Sequence, residues 1–239
     1  YRYVGVNFNS QGNPNLKPSD NYNLDLKWDF NPTPTELISL TAFYKLIKNP
    51  ISRIEVASAG GYLSYENIAD KATVAGVEIE IRKNLFVRPV SNAAHGMNKL
   101  SLGLNGSYIY TNAKMPLATV TTGSQLEGAA PWIVNFDLSH NFTKGERSFV
   151  NTLVLNYVSD KIYTIGTQGY QDMMEQGVLT LDFVSQAKLN KHLSLNLKAR
   201  NLLNPSYKLS RKANENGEKV ILNDYKKEIN ISLGVSCTF

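Results

Sequence analysis

The chain predicts an all-β fold, an antiparallel transmembrane β-barrel, on three observations. Apolar and polar residues alternate with a period of two in about nine segments, which puts the two kinds on opposite faces of strands. Aromatic residues collect at the ends of the apolar stripes, while charges sit in the middle of the polar ones. Short and long connections alternate along the chain.

The first segment sets Tyr22, Leu24, Leu26, Trp28 and Phe30 against Asn23, Asp25, Lys27 and Asp29, after an irregular polar stretch through Asn7, Asn13 and Pro18. Asn31–Glu36, with two prolines, reads as a turn. The alternation resumes with Ile38, Leu40, Ala42, Tyr44 and Leu46, and again with Ala75, Val77, Ile79 and Ile81 against Glu78, Glu80 and Arg82. Leu100, Leu102, Leu104, Tyr108 and Tyr110 form a fourth stripe, and Trp132, Val134, Phe136, Leu138 and Phe142 a fifth. Phe149, Leu153, Leu155 and Tyr157 form a sixth, with Val150 and Val154 on the other parity, so the facing there stays open. Leu179, Leu181, Phe183 and Leu189 follow, then Leu193, Leu195, Leu197 and Ala199 with Lys198 and Arg200 behind. Tyr225–Phe239 reads as one closing strand carrying Leu233, Val235, Cys237 and Phe239, its alternation broken only at Lys227.

Two of these patterns separate a membrane barrel from a soluble one. Tyr22 and Trp28/Phe30, Trp132 and Phe142, Phe149 and Tyr157, and Tyr225 and Phe239 bracket their stripes, as rings do at the two borders of a hydrocarbon band. A small soluble barrel could not bury Asp25, Lys27, Asp29, Glu78, Glu80, Arg82, Asp137, Asp182, Lys198, Arg200 and Glu228, whereas a wide wet lumen hydrates them. Short connections at 31–36, 143–147 and 190–192 alternate with long ones near 47–62, 112–131, 159–177 and 203–219, the pattern of periplasmic turns and external loops. Lys83–Asn98 breaks that pattern and is expected to be an insertion on the periplasmic side.

Composition narrows the function. With 239 residues, 42% hydrophobic and 19% charged, the chain is neither disordered nor fibrous, and no run approaches a membrane-spanning helix. The net charge of +5 comes from scattered Lys and Arg with no basic run beyond Lys226-Lys227, which argues against nucleic acid as a partner. One cysteine, Cys237, excludes an internal disulfide and cysteine metal sites, and it reads as a small hydrophobe. His95, His140 and His192 lie on separate segments without ligand spacing, and no nucleophile elbow, P-loop or dinucleotide fingerprint occurs. Glu78/Glu80 could mimic a hydrolase pair, but pairing with Lys and Arg of neighbouring strands explains them more simply; no enzyme activity and no cofactor are expected. The absence of signal-peptide features at Tyr1 and the odd strand count lead to the expectation that residues 1–239 are the C-terminal portion of a larger barrel, ending natively at Phe239.

Several motifs resemble those of the TonB-dependent outer-membrane receptors. Gly12-Asn13-Pro14-Asn15-Leu16-Lys17-Pro18 before the first strand is similar to that family's G-N-P-x-L-x-P-E loop, with Ser19 where Glu is usual. Leu40–Lys45 with Ile47–Ile51, Tyr65-Glu66-Asn67 with Ala75–Glu80, Leu126–Pro131 with Asn135, Asn156-Tyr157, and Arg200–Tyr207 resemble later landmarks in the same order. Leu233–Phe239 resembles the closing strand, with Cys237 where an aromatic is commoner.

The resemblance implies a barrel of twenty-two strands, of which these are the last nine, lying in the outer membrane with its C-terminus periplasmic. It implies import of a scarce small nutrient or chelate, energised by the TonB complex through an N-terminal plug region that this sequence does not contain. Outer-membrane lipid and lipopolysaccharide would surround the wall, and a surface lipoprotein is a further expected partner. Substrate contact is expected in the loop Ser159–Gly177, through Tyr163, Tyr170, Gln171, Asp172, Met173, Met174 and Glu175, although the same residues would also suit a solvated loop. The alternative is a non-transporting binding or scaffold barrel, such as an adhesin.

Overall fold

The computed structural model describes residues 2–4, 8–56, 62–90, 96–115, 125–167, 169–213 and 217–238. His95 and Phe239 lie outside the described residues. Among the described residues there are seventeen strands and no helix. In chain order these are β1 (Arg2–Val4), β2 (Asn9–Gln11), β3 (Asp20–Phe30), β4 (Leu37–Lys48), β5 (Ile51–Val56), β6 (Tyr62–Asn67), β7 (Lys71–Pro89), β8 (Met97–Ala113) and β9 (Trp132–Lys144). They continue with β10 (Arg147–Val158), β11 (Lys161–Thr164), β12 (Met173–Glu175), β13 (Val178–Lys188), β14 (Leu193–Arg200), β15 (Ser206–Lys212), β16 (Lys219–Lys226) and β17 (Asn230–Cys237).

Nine of them form one sheet in the order β3-β4-β7-β8-β9-β10-β13-β14-β17, with every neighbouring pair antiparallel. These are the nine predicted stripes. β3 and β17 are the two edges and do not pair with each other, so closing a barrel requires strands beyond these nine.

The register lines up like with like. Phe30, Ile38, Ile81, Leu104, Phe136, Leu155 and Leu181 are successive cross-strand partners on one face. One residue along, Asp29, Ser39, Glu80, Asn105, Asn135, Asn156 and Thr180 do the same on the other. This settles β10: Phe149, Leu153, Leu155 and Tyr157 share the apolar face, and Val150 and Val154 the polar one. A slip of one residue anywhere would exchange the faces, so the double pattern holds the register.

Burial on this sheet is inverted relative to a soluble protein. On central strands Val77, Leu153 and Trp132 are 42–52% exposed, whereas Ser39 is 3% exposed and Ser107 9%. The apolar face therefore points to the surroundings and the polar face inward, which is stable only where the surroundings are apolar. Rings border it at both ends: Tyr108 and Trp132 meet at 4.7 Å near one rim, and Phe142 and Phe149 at 6.4 Å and Trp28 and Phe30 at 6.1 Å near the other. His140 lies on the apolar face between Leu100 and Asn151, its Nε2 at 2.8 Å from Asn98 Oδ1.

Three expectations need correction. Lys83–Asn98 is not an insertion: β7 and β8 stay paired as far as Pro89 and Met97, with a bulge between Asn84 and Phe86. On the other edge of β7 the ladder with β4 begins only at Leu37, opposite Arg82, and the Glu36 carboxylate accepts the Asn84 N–H at 3.0 Å while Thr33 Oγ1 donates to the same carboxylate at 3.2 Å. Second, Tyr225–Phe239 is two strands, because Glu228 adopts a φ of 61° between β16 and β17. Tyr225 consequently leaves the girdle and stacks on Tyr207 at 5.5 Å. Third, Glu80 pairs along its own strand and not with a neighbouring one: Arg82 holds it at 2.7 Å, as Lys27 holds Asp29 at 3.2 Å.

Candidate functional site, a capped rim

At the rim where the long connections lie, three pairs of wall strands continue past a bend. β5 and β6 continue β4 and β7, β11 and β12 continue β10 and β13, and β15 and β16 continue β14 and β17. The bends fall at Asn49 (φ 47°), Asn201 (φ 58°), Asn204 (φ 42°) and Glu228 (φ 61°). Asparagine tolerates the left-handed region better than most residues, because its short amide can bond locally. The Asn67 amide spans the first bend, donating to Asn49 O at 2.9 Å and Lys17 O at 3.0 Å and accepting from Lys17 N at 2.8 Å. Asn201 donates to Glu228 O at 2.9 Å across the last two bends. Several of the motifs quoted for the family resemblance are thus hinge chemistry.

Beyond the bends the strands form two small sheets, β1-β2-β6-β5 and β11-β12-β15-β16. The two meet over the polar face of the wall. Ile54 and Ile165 form a parallel bridge, with Ile165 N donating to Arg53 O at 3.0 Å. Ile54, Ile162 and Ile165 pack with Ala72 and Ala113, which lie on the polar face of β7 and β8. Here the burial rule is the ordinary one: Ile165 is 0% exposed and Met173 2%.

Glu127 clasps the assembly. Its carboxylate accepts from Arg53 Nη2 at 2.8 Å and Nε at 3.1 Å, and Arg53 in turn lies over the Tyr163 ring at 4.2 Å. Next to it the Gly128 N–H, at a φ of 76°, donates to Ile162 O at 2.8 Å, and Leu126 N donates to Thr111 Oγ1 at 3.1 Å. Arg211 bridges to Glu55, joining the second small sheet to the first.

Among the described residues, two hollows open within this cap. The first, of about 150 Å³, is lined by Phe8, Tyr163, Glu175, Tyr207, Lys208, Leu209, Asn223 and Tyr225. The second, of about 230 Å³, shares Glu175 and Tyr207 with it and continues down to Asn156, Val158, Val178 and Thr180 on the polar face of the wall. Charges in the first are balanced internally, since Lys161 lies 3.3 Å from Glu175 and Lys208 3.7 Å from Asp224. A third hollow, of about 320 Å³, sits low on the polar face between Arg82, Lys99, Asp137 and Asn141. Gly103 makes room there, because a Cβ on it would lie 2.1 Å from Asp137 Oδ1.

The candidate loop residues take different places. Tyr163 and Glu175 line the first hollow. Tyr170 lies under Arg211 at 5.3 Å, Asp172 Oδ1 accepts the Gly166 N–H at 2.7 Å, and Gln171 is half-buried between them. Met173 is buried with Leu63 and Leu209, and Met174 packs on the cluster around Ile165. Asp25, Lys27, Glu78, Glu80, Arg82, Lys198 and Arg200 all fall on the polar face of the wall. Of the terminal strand, Leu233, Val235 and Cys237 pair with Leu197, Leu195 and Leu193 on the apolar face. Sequence reasoning missed Phe8, Arg53, Tyr207, Lys208, Asn223 and the clasping role of Glu127. Tyr207 and Tyr225 were visible as rings flanking one hairpin, but the closing strand had absorbed Tyr225.

An open antiparallel wall, apolar outside and polar inside, carrying a folded cap at its long-loop rim, defines an outer-membrane barrel segment of the receptor type. The family model described as TonB dependent receptor-like, beta-barrel, matches residues 1–202. The chain therefore belongs to that family, whose members are outer-membrane receptors and transporters rather than enzymes. No curated protein and no solved structure matches it.

Proposed function

We propose that this chain is the wall and external cap of a TonB-energised importer for a small nutrient. The observation that carries the reading is the inward lean of the cap: its hollows lie over the polar face and lead onto it, as substrate capture above a lumen requires. In this reading the long connections face outward, the tight turns and the C-terminal end of β17 face the periplasm, and lipid and lipopolysaccharide cover the apolar face. A plug region upstream would fill the lumen and contact TonB, and the polar hollow around Asp137 would lie against it. Leu233, Val235, Cys237 and Phe239 would form the strand by which the barrel is assembled.

The test is uptake. Cells carrying the full-length receptor should accumulate its substrate, and should lose that accumulation on deletion of TonB or collapse of the proton-motive force. Accumulation that survives both treatments defeats the importer reading. Orientation is tested separately by Gln171→Cys in a Cys237→Ser background: an impermeant thiol reagent should label intact cells.

A further inference from the structure

We propose that the apolar face of the wall carries a site for one anionic phospholipid, its phosphate held by Lys144 and Arg147 and its ester region by the amides of Asn98 and Asn151. The site belongs to the periplasmic leaflet, a placement that rests on the orientation in the importer reading.

The apolar face is interrupted at one level. Leu102, Leu138, Leu153 and Phe183 are successive cross-strand partners on β8, β9, β10 and β13. Two residues nearer the tight turns, His140, Asn151 and Ser185 follow Leu100 in the next row, and Asn98 lies diagonally beside His140. Polar groups turned toward hydrocarbon are costly unless they are hydrogen-bonded. These four satisfy one another only in part. Asn98 Oδ1 accepts from His140 Nε2 at 2.8 Å, and Asn151 Oδ1 accepts from Ser185 Oγ at 2.7 Å. Each amide thus uses its acceptor within the protein and keeps its NH2 group, a double donor, for something else. Among the described residues neither NH2 group has an acceptor.

The charges beside them are a second, independent observation. Lys144 and Arg147 are direct cross-strand partners at the foot of the same stripes, one pair below Phe142 and Phe149, whose rings meet at 6.4 Å. Like charges directly opposite each other destabilise a sheet, and an anion between them removes the penalty. Arg88, the partner of Asn98 on β7, adds a third cation, its guanidinium 5.6 Å from the Phe86 ring. All three are exposed, and among the described residues none has an acid partner; Glu146, in the turn between Lys144 and Arg147, pairs with neither. Lys48 and Lys71 form a like pair at the other rim, but Asp20 is next in that row and Lys48 lies over Tyr22 at 5.1 Å.

The patch therefore offers chiefly donors and positive charge, with leucines above. A phospholipid offers the complement: phosphate and ester oxygens that accept, a net negative charge where the headgroup is uncharged, and acyl chains for the leucines. Four residues separate the cations from the His140–Asn151 row, roughly 13 Å of strand and about 10 Å of depth at the usual barrel tilt. A phosphoglycerol with its two esters covers that span, counting the hydrogen bonds at each end. A second copy of this chain fits less well, because a two-fold contact would set the same three cations against themselves.

The experiment is native mass spectrometry of the purified, delipidated full-length receptor titrated with phosphatidylglycerol, phosphatidylethanolamine of the same chains, and lipid A. The expected result is one phosphatidylglycerol held about tenfold or more tighter than either of the others. That affinity should fall about tenfold or more in the double variant Lys144→Gln/Arg147→Gln, and about threefold or more in Asn151→Leu, which removes the amide without touching charge. Lys48→Gln/Lys71→Gln, which removes the same charge from the other rim, should stay within about twofold. Heat-modifiable mobility checks that each variant is folded. Equal retention of the two phospholipids overturns the proposal, and so does a preference for lipid A. It is equally overturned if the Lys144/Arg147 and Asn151 substitutions leave retention unchanged, if the Lys48/Lys71 variant loses it as much, or if this face instead holds a second receptor chain that the Lys144/Arg147 variant releases. Uptake is not read in this assay, so any of these failures leaves the importer reading standing, and a failure of energised uptake leaves the lipid site standing.

Discussion

The wall and the cap are made of the same strands yet obey opposite burial rules. In the wall, Val77 and Leu153 point out and remain 48% and 42% exposed, while Ser39 and Ser107 face in. A few residues past the bends, Ile54, Ile165 and Met173 are buried at 4% or less. The surrounding solvent makes the difference. Lipid rewards apolar residues on the outside and a lumen keeps the inside wet, whereas beyond the membrane water returns and the ordinary hydrophobic core with it. The asparagines and Glu228 at positive φ mark where one regime gives way to the other. A consequence is that the cap can fail without the wall and the wall without the cap.

That independence can be broken in order of expected effect. Ile165→Ala, at a fully buried position, should cost the cap about 2–5 kcal/mol. Limited proteolysis should then cut near residues 161–175 while the barrel keeps its heat-modifiable mobility; loss of both together would show one cooperative unit. Leu104→Arg places a charge on the apolar face between Ile81 and Phe136 and should destabilise the wall by about 2–4 kcal/mol in urea titration, whereas Asn105→Arg should cost far less. Equal costs would reverse the assignment of faces. Glu127→Ala removes the half-buried carboxylate from Arg53 and should weaken the cap by about 1–3 kcal/mol, with increased hydrogen exchange at Ile165 and no change in the wall. Unchanged exchange would mean the clasp is incidental.

The smallest effect belongs to the opposite rim. The Asn84 N–H holds the Glu36 carboxyl below the usual carboxylate range, assisted by Lys83 and Thr33. A carboxyl depressed in the folded state stabilises above its unfolded pKa and loses that contribution as pH falls through the lower folded value. The bulge at Asn84–Phe86 should therefore loosen only in acid below the usual carboxylate range, and Glu36→Gln should abolish that acid dependence in exchange rates at Asn84. An identical acid response in Glu36→Gln would assign the dependence to another group.

Alternation in the sequence was enough for the nine wall strands and for the facing of all but β10, because a side chain's face depends only on parity when one side meets lipid; β10, with Val150 and Val154 on its polar parity, needed the register of its neighbours. It erred where parity is interrupted by backbone and not by composition. Lys227 looked like a blemish in one strand, but Glu228 at a φ of 61° makes two, and Tyr225 changes partner as a result. The cap strands escaped notice for a related reason. β11 and β12 are four and three residues long, too short for a period to register, and their apolar residues are buried by contacts with segments more than a hundred positions away, as Ile54 is by Ile165.

By itself the sequence determined most of the wall: which residues share the apolar face, which share the polar one, and where most of the rings collect at strand ends. These properties are local, set by a two-residue period and the preferences of single side chains. Tertiary structure decided the cap, the clasp of Glu127 on Arg53, and the meeting of Tyr207, Glu175 and Asn156 in the lining of one hollow. Those features arise from contacts between strands far apart in the chain, whose register and bend angles no local pattern encodes.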